Sequence, residues 1–437
     1  MSKMMHLTGF MAHTPAPHTQ LSWIHPPERM PFAWHEPEYW QAIAQTLERG
    51  RFDMFFFADQ LAAPDVFRGD IADTVRYAVQ FPIHDPVVLV PTMAAVTKYL
   101  GFAITMSTTY YPPFLLARKL STLDHLTKGR IGWNIVTSFH QNEARNFGAE
   151  KMLDHDERYA RAEEYIELCR ALWHSWDDDA VIMDMERGIF ADPAKVRKID
   201  FHGEWFDCSG PASVIPSPQR EPVLIQAGAS ARGRDFAARH AECVFGLQLS
   251  AGTMASYADD LRSRAENFGR DPTRLKILWG AMPVVGNSEA EAREKHQRAL
   301  SRIPLDAGLA LMSGHMNYDL STLDLDSPLE HIEVPGIQGV LSMFETEGGA
   351  MPTLREAATR YGTGIAMPQL VGTPTQVADE LAELHEHGGG DGFQFSPLYY
   401  GPEYFNDVVE LLIPELQSRG LFRREYGGHT LREHLGG

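Results

Sequence analysis

Four apolar runs in this chain pass into polar residues at their carboxyl ends, and those residues are the first candidates for chemistry. They are Asp59 in FFFADQ, Thr105 in FAITMST, Asn134 in GRIGWNIVTSFHQNEARNFG, and Gln226 with Ser230 in PVLIQAGASARG. In the third run, residues 129–148, the sequence turns polar but stays uncharged through Asn134, Thr137, Ser138, His140 and Gln141 until Glu143. Neutral donors and acceptors gathered on one face suit a large planar ligand with hydrogen-bonding edges. Each residue also has a plainer use, because Asp and Ser cap the helices that follow strands.

QAGASARG, residues 226–233, adds a second kind of signal. Its small residues let backbone approach a ligand closely, and a helix expected over about 231–240 would offer free amides to a phosphate. In DHDERYARAEEYIELCRALW, Tyr159, Ala162, Ile166, Cys169 and Trp173 recur at helical spacing and predict a buried stripe. His155 stands four residues before Tyr159, so both share that face at the positive end of the helix, where an imidazole and a phenol could hold a phosphate. Simple packing in the core would explain the same pair.

The elements that must bring these residues together follow from the alternation of apolar runs and helical patterns. Strand-like runs occur at 6–11, 52–59, 102–108, 131–137, 222–228, 243–248, 276–286 and 392–397, with helices between them at about 38–49, 87–98 and 113–127, among others. Apolar runs without strict alternation predict a parallel sheet buried on both faces. Eight βα units favour a closed α/β fold, the (β/α)8 TIM barrel, whose sites lie where the strands end. The expectation is one barrel domain over 1–437 with insertions in the βα loops at about 60–85, 174–220 and 303–370, the last being long enough to act as a lid or binding loop.

Bulk properties narrow the function. A formal net charge of -19, with 39 Lys and Arg against 58 Asp and Glu, argues against nucleic acid as a partner. Three scattered cysteines, Cys169, Cys208 and Cys243, suggest neither a disulfide framework nor a zinc site and fit a reducing cytoplasm. No run is long and apolar enough to predict a membrane span, and the amino terminus is too weakly apolar for a signal peptide. Nineteen histidines show no H-E-x-x-H pattern, so no metal is expected. The G-x-S-x-G nucleophile elbow and the G-x-G-x-x-G dinucleotide fingerprint are also missing.

FFFADQ, ITMSTTYYPPFLLARKLSTLDHLTKGRIGWNIVTS, EARNFG, HDERYARAEEYIELCRALW, FHGEWFDCSGPASVIPSPQREPVLIQAGAS and GTPTQVADEL together resemble the bacterial-luciferase-like flavin-dependent monooxygenases, in the branch of the nitrilotriacetate, dibenzothiophene-sulfone and pristinamycin-type oxygenases. The likeness runs from about residue 6 to 420. It implies a TIM barrel that takes reduced FMN by diffusion from a separate NAD(P)H-dependent flavin reductase. One oxygen atom of O2 would then pass through a flavin peroxide to a small substrate, hydrophobic or bearing a heteroatom or halogen.

Carried over position by position, the resemblance puts Asp59, Thr105, Asn134, His155, Tyr159 and Ser230 around the cofactor. Where the branch often has QAGSS, this chain has Ala229, which removes one phosphate hydrogen bond. His140 and His315 are the candidates for stabilising or protonating the peroxide, since imidazole titrates near working pH. Phe10, Trp23, Tyr110, Met312, Met316 and Met343 are the aromatic and Met residues expected to roof the substrate pocket beneath the insertions. A homodimer or homotetramer is the assembly common in the branch. A non-catalytic flavin-binding protein, a metal-dependent barrel hydrolase and a deazaflavin enzyme are the alternatives.

Overall fold

The computed structural model describes residues 4–24, 33–329, 344 and 351–436. Eight parallel strands form the centre: β1 (His6–Ala12), β2 (Met54–Ala58), β3 (Gly101–Ser107), β4 (Ile131–Val136), β5 (Val223–Gln226), β6 (Cys243–Gly246), β7 (Lys276–Val285) and β8 (Gly392–Phe395). Neighbours in sequence are neighbours in space, and β8 pairs with both β7 and β1, so the sheet closes into a TIM barrel. Each expected strand is present. The far half of β7 leaves the ring and pairs with a short strand, Gln369–Gly372.

Closure explains the unbroken apolar runs, because one face of each strand packs inside the barrel and the other against the helices. Met54, Phe56, Ala103, Val223, Ile225, Cys243 and Leu278 fill the interior, while Phe55, Phe57, Phe102, Ile104, Ile131, Trp133 and Ile135 face outward. Side chains alternate along a strand, so the inward positions above Ala103 in β3 and Gly132 in β4 are Thr105 and Asn134. The polar ends of these strands thus point into the barrel mouth. At the opposite end Leu431 and Leu435 of the carboxyl-terminal segment plug the floor, and Gly101 and Gly132 leave room for Leu431, whose side chain a Cβ would meet at 2.6 and 3.1 Å.

The helices include α1 (Pro37–Arg49), α2 (Val90–Ala94), α3 (Pro113–Thr127), α4 (His155–Trp173), α5 (Ala231–His240), α6 (Ala251–Asn267), α7 (Glu289–Leu300), α8 (Leu305–Met316), α9 (Leu354–Gly362) and α10 (Pro374–His387). The stripe expected on α4 is buried along its length. The described parts of 60–85 and 303–370 pack on each other around a second apolar cluster in which Phe67 and Val79 meet Ala307, Leu311, Met312, Met316 and Tyr361. Helix α8 is buried on all sides from Ala307 to Met316 and is largely apolar there, with Ser313 and His315 as its polar residues. It approaches α9 backbone to backbone: a Cβ on Gly308 would lie 2.2 Å from the carbonyl of Ala358. Arg68 ties the two insertions together, reaching Asp73 at 2.7 Å and Asp306 at 3.2 Å.

Candidate functional site

A cavity of about 330 Å³ opens at the carboxyl ends of the strands. Its wall includes Phe10 from β1, Phe56 from β2, Thr105, Asn134 and Gln394 from β3, β4 and β8, and Gln80, His315, Tyr361 and Ile365 from the two packed insertions. Asp59 stands in the wall one residue beyond β2.

Register positions the polar pair. Thr105 and Asn134 are Cα partners across β3 and β4. The Thr105 hydroxyl donates to the Phe57 carbonyl at 2.8 Å and therefore accepts from Asn134 Nδ2, also at 2.8 Å. That fixes the amide of Asn134 with its oxygen turned away from Thr105, and Asn134 Oδ1 is buried without a partner. Gln394 Oε1 is in the same condition. Two buried carbonyl oxygens left unpaired in a cavity wall are costly unless a ligand supplies N–H donors. Burial, reinforced by the nearby carboxyls of Asp85 and Glu143, pushes Asp59 well above the usual carboxylate range and favours its protonated form.

A second cluster lies at the amino end of α5. Ser230 is its N-cap, its Oγ accepting from the Gly233 amide at 3.0 Å. His155 Nε2 lies 3.2 Å from the same Oγ, and the His155 and Tyr159 rings are 5.1 Å apart. Gly228 and Gly233 touch so closely that a Cβ on Gly233 would come within 2.8 Å of the Tyr159 hydroxyl and 3.0 Å of Gly228 Cα. The structure thus gathers His155, Tyr159 and Ser230 as a group, but behind the cavity wall, where Ala227, Ala229 and Arg234 form the surface.

Arg234 is the one Lys or Arg of that wall among the described residues. Its Nε donates to the Ala229 carbonyl at 2.9 Å, its Nη1 to Asp260 at 2.8 Å, and its guanidinium lies 5.2 Å from the Tyr257 ring centre. Tyr257 in turn donates to the Gly228 carbonyl at 2.8 Å, bracing the turn from behind. Residue types, spacing and amides at this end fit an anion.

The histidines form the remaining wall. His315 lines the cavity, with Nδ1 2.7 Å from the Tyr361 hydroxyl and Nε2 3.0 Å from Gln80 Oε1. Gln80 Nε2 donates to the Pro17 carbonyl at 2.8 Å, so its oxygen must accept, which places the His315 proton on Nε2. Gln80 holds this position with a left-handed φ of 48°, a conformation that surrounding bonds must secure. Burial lowers His315 to about 4. His140 sits behind the wall, its Nε2 3.0 Å from Gln60 Oε1, and burial together with the charge of His315 lowers it to about 3. Both imidazoles are therefore neutral at neutral pH.

Several wall residues carry no local signal. His18 stacks on Phe10 at 4.1 Å and contacts Ser396 Oγ at 3.1 Å, yet in sequence it is one histidine among nineteen. It follows the first strand, whose carboxyl end offered the one overlooked clue. Gln80, Tyr361, Arg234 and Gln394 were also missed. Of the expected pocket roof, Phe10 lines the cavity, Trp23 and Tyr110 do not, Met312 and Met316 are buried in the cluster between the insertions, and Met343 lies outside the described residues. Residues 174–220 contribute nothing to the wall.

A closed barrel with neutral polar strand ends, a Ser-capped helix terminus beside an arginine and a largely apolar mouth defines the class, and the chain belongs to the luciferase-like monooxygenase family, whose pattern it matches over residues 11–391. It is 43% identical to a dibenzothiophene-sulfone monooxygenase of Rhodococcus erythropolis (strain XP), over 99% of this chain and 97% of the relative. It is 36% identical to nitrilotriacetate monooxygenase component A of Aminobacter aminovorans, over 94% and 92%. The crystal structure of a long-chain alkane monooxygenase superposes with a TM-score of 0.91 at 42% identity, covering 100% of this chain and 96% of the other.

Proposed function

We propose that this chain is the oxygenating component of a two-component system that uses reduced FMN and O2 to place one oxygen atom in a small, neutral, largely apolar substrate. The observation that carries the reading is the cavity's pairing of unpartnered carbonyl oxygens, Asn134 Oδ1 and Gln394 Oε1, with a cationic, amide-rich end at Arg234 and α5. A reduced isoalloxazine has N–H edges for the first and a phosphate for the second. When bound, it supplies the two electrons with which O2 yields one atom to the substrate and one to water.

The chain's own residues divide the remaining work. Asp59, Thr105 and Asn134 orient the ring, Thr105 by locking the Asn134 amide. His155, Tyr159, Ser230 and Arg234 serve the phosphate. The hydroxyl and imidazole groups act from behind the wall, and Arg234 meets the phosphate directly and offsets the serine missing at Ala229. Phe10, Phe139, Ile83 and Ile365 exclude water over the ring. His315 lines the cavity as a neutral imidazole whose Nε2–H is held by Gln80 Oε1, and His140 supports Gln60 behind it; these two are the candidates for holding or moving a proton.

A wall with one guanidinium, committed to the phosphate end, offers no second cation to a polyanionic substrate. The relative named for nitrilotriacetate therefore does not set the expectation, and those named for a sulfone and an alkane lie nearer to it. The test combines purified chain, a flavin reductase, FMN, NADH and O2 with a panel of neutral aromatic, thioether and halogenated compounds, read by mass spectrometry for a gained oxygen or a lost leaving group. Product that forms equally well without oxygen, or an absence of reduced-FMN binding, would sink it.

A further inference from the structure

The insertion at 174–220, which takes no part in the first cavity, helps to line a second one of about 360 Å³ at the opposite end of the barrel, where β5 and β6 begin. Five guanidiniums stand in its wall. Arg170 comes from the last turn of α4, Arg220 from the insertion, Arg239 from the last turn of α5, Arg270 from just beyond α6, and Arg432 from the carboxyl-terminal segment. Two carboxylates, Glu221 and Glu242, share that wall. On a chain of net charge -19, so dense a cationic group stands against the sign of the molecule as a whole.

Structural duty accounts for part of it. Arg432 is fully engaged, its Nε and Nη2 reaching Glu242 at 2.7 and 3.1 Å and its Nη1 donating to the Gln219 carbonyl at 2.9 Å. Glu221 is shared between Arg170 Nε at 3.4 Å and His174 Nε2 at 2.7 Å. The remaining cations exceed the carboxylates that face them. Arg270 forms no ion pair among the described residues; its Nη1 and Nη2 donate to the carbonyls of Ala238 and Ala241, both at 2.7 Å, and so mask the negative end of α5. Arg239 has one carboxylate, Glu163 at 3.6 Å, which Arg232 and His240 also claim. Arg170 Nη1 lies 3.2 Å from His240 Nδ1, which must accept, and Arg170 Nη2 makes no hydrogen bond among the described residues. Burial lowers Arg270 from the usual guanidinium range, Glu242 opposes the shift, and the like charge of Arg170 adds to it. An anion between the two would relieve that repulsion.

We infer that this second cavity is a binding site for a small oxyanion of the phosphate or sulfate class, held by Arg170, Arg239 and Arg270. Guanidinium forks match the paired oxygens of such anions, and a cleft walled by one sign of charge focuses its field on a ligand. The wall also limits what else can bind. Leu224 is its one apolar side chain and no Phe, Tyr or Trp belongs to it among the described residues, so it offers charge and hydrogen bonds but no stacking face for a base or a flavin ring. The site is separate from the proposed cofactor phosphate. Arg234 stands in the first turn of the ten-residue helix α5 and Arg239 in the last, and at about 1.5 Å per residue the two ends are on the order of 10 Å apart.

The test uses the full chain without flavin, titrated calorimetrically with inorganic phosphate and with sulfate at an ionic strength held constant by chloride. Arg234→Gln serves as the background, because it weakens any phosphate binding at the cofactor end and keeps the two readings apart. In that background one anion per chain should bind saturably, with a dissociation constant of about 1 mM or below, and the tighter of the two anions is the class the site serves. Adding Arg170→Gln and Arg239→Gln, whose side chains are 37% and 46% exposed, should weaken it at least about tenfold. Arg270→Lys, which keeps the charge and loses the planar fork, is the second variant and should weaken it several-fold. With Arg234 intact, the Arg170→Gln, Arg239→Gln chain should bind reduced FMN within about twofold of wild type. An absence of saturable binding in the Arg234→Gln background overturns the inference, as does binding that neither set of replacements weakens.

Discussion

Replacing Arg234 by Gln isolates the phosphate end of the proposed cofactor site. Gln can still donate to the Ala229 carbonyl, but it lacks the charge and the face that lies over Tyr257. A lost charge-assisted hydrogen bond costs about 1.5–3 kcal/mol, and about 1.4 kcal/mol is tenfold, so FMN should bind about 12- to 150-fold more weakly. The Arg234 side chain is 32% exposed, and solvent screening places the expectation near the lower end, about tenfold to thirtyfold. The control is riboflavin, which has the ring without the phosphate and should lose less than about twofold, since it makes no bond to a guanidinium. The assay is anaerobic titration of the reduced flavins, followed by protein fluorescence, for wild type and variant. Equal losses for the two flavins would mean that Arg234 merely braces the Gly228 turn, and an unchanged FMN affinity would place the phosphate elsewhere; either result refutes the argument.

Ser230→Ala should lower stability by about 1 kcal/mol, because Ser230 caps α5, whereas Tyr159→Phe should leave the melting temperature near wild type; both should weaken FMN binding, and calorimetry with titration separates the two effects. Acid should destabilise the chain early. His18, His140 and His315 sit at about 3, 3 and 4 when folded against 6.5 unfolded, so the unfolded state binds more protons between these values. Their contribution is complete above about pH 6.5 and lost as pH falls toward 4, by at most about 2 kcal/mol per imidazole at pH 5. A melting temperature flat from pH 7 to about pH 5 would contradict it. Leu431→Ala should cost about 3–5 kcal/mol in chemical denaturation, since it empties the barrel floor beneath Gly101 and Gly132, and a loss under about 1 kcal/mol would show that the floor is not sealed there.

The barrel was legible because its signal is local. A strand buried on both faces must be apolar throughout, and residues such as Phe55 and Phe56, adjacent in sequence but on opposite faces of the sheet, record that condition directly. Thr105 and Asn134 stood out as exceptions to it. Ser230 and His155 were legible for a different reason, the small residues and helical spacing around them, although the cap role of Ser230 proved real alongside any ligand role. The insertion wall left no such trace. His315 meets Tyr361 across 46 residues and Gln80 across 235, and no period or motif links positions so far apart. The methionines of α8 look like pocket residues by composition, but a largely apolar helix buried on every side is a core helix, and Met312 and Met316 hold the two insertions together. The exposed hairpin at 181–191 was passed over because a short run of consecutive apolar residues reads the same whether it is buried or bare.

This division of labour bears on how relatives with such different names share one frame. The groups proposed to hold the cofactor come from strand ends and from α4 and α5, elements whose positions the closed ring dictates, so they can persist while the substrate changes. Of the groups that face the remaining space, Gln80, Ile83, His315, Tyr361 and Ile365 come from the described parts of the two insertions, which share an apolar cluster. Altering one insertion alone would strip partners from the other, as Arg68 with Asp306 and Gln80 with His315 make plain. A change of substrate is therefore expected to require paired changes in 60–85 and 303–370, and single replacements confined to either segment should lower stability before they shift specificity.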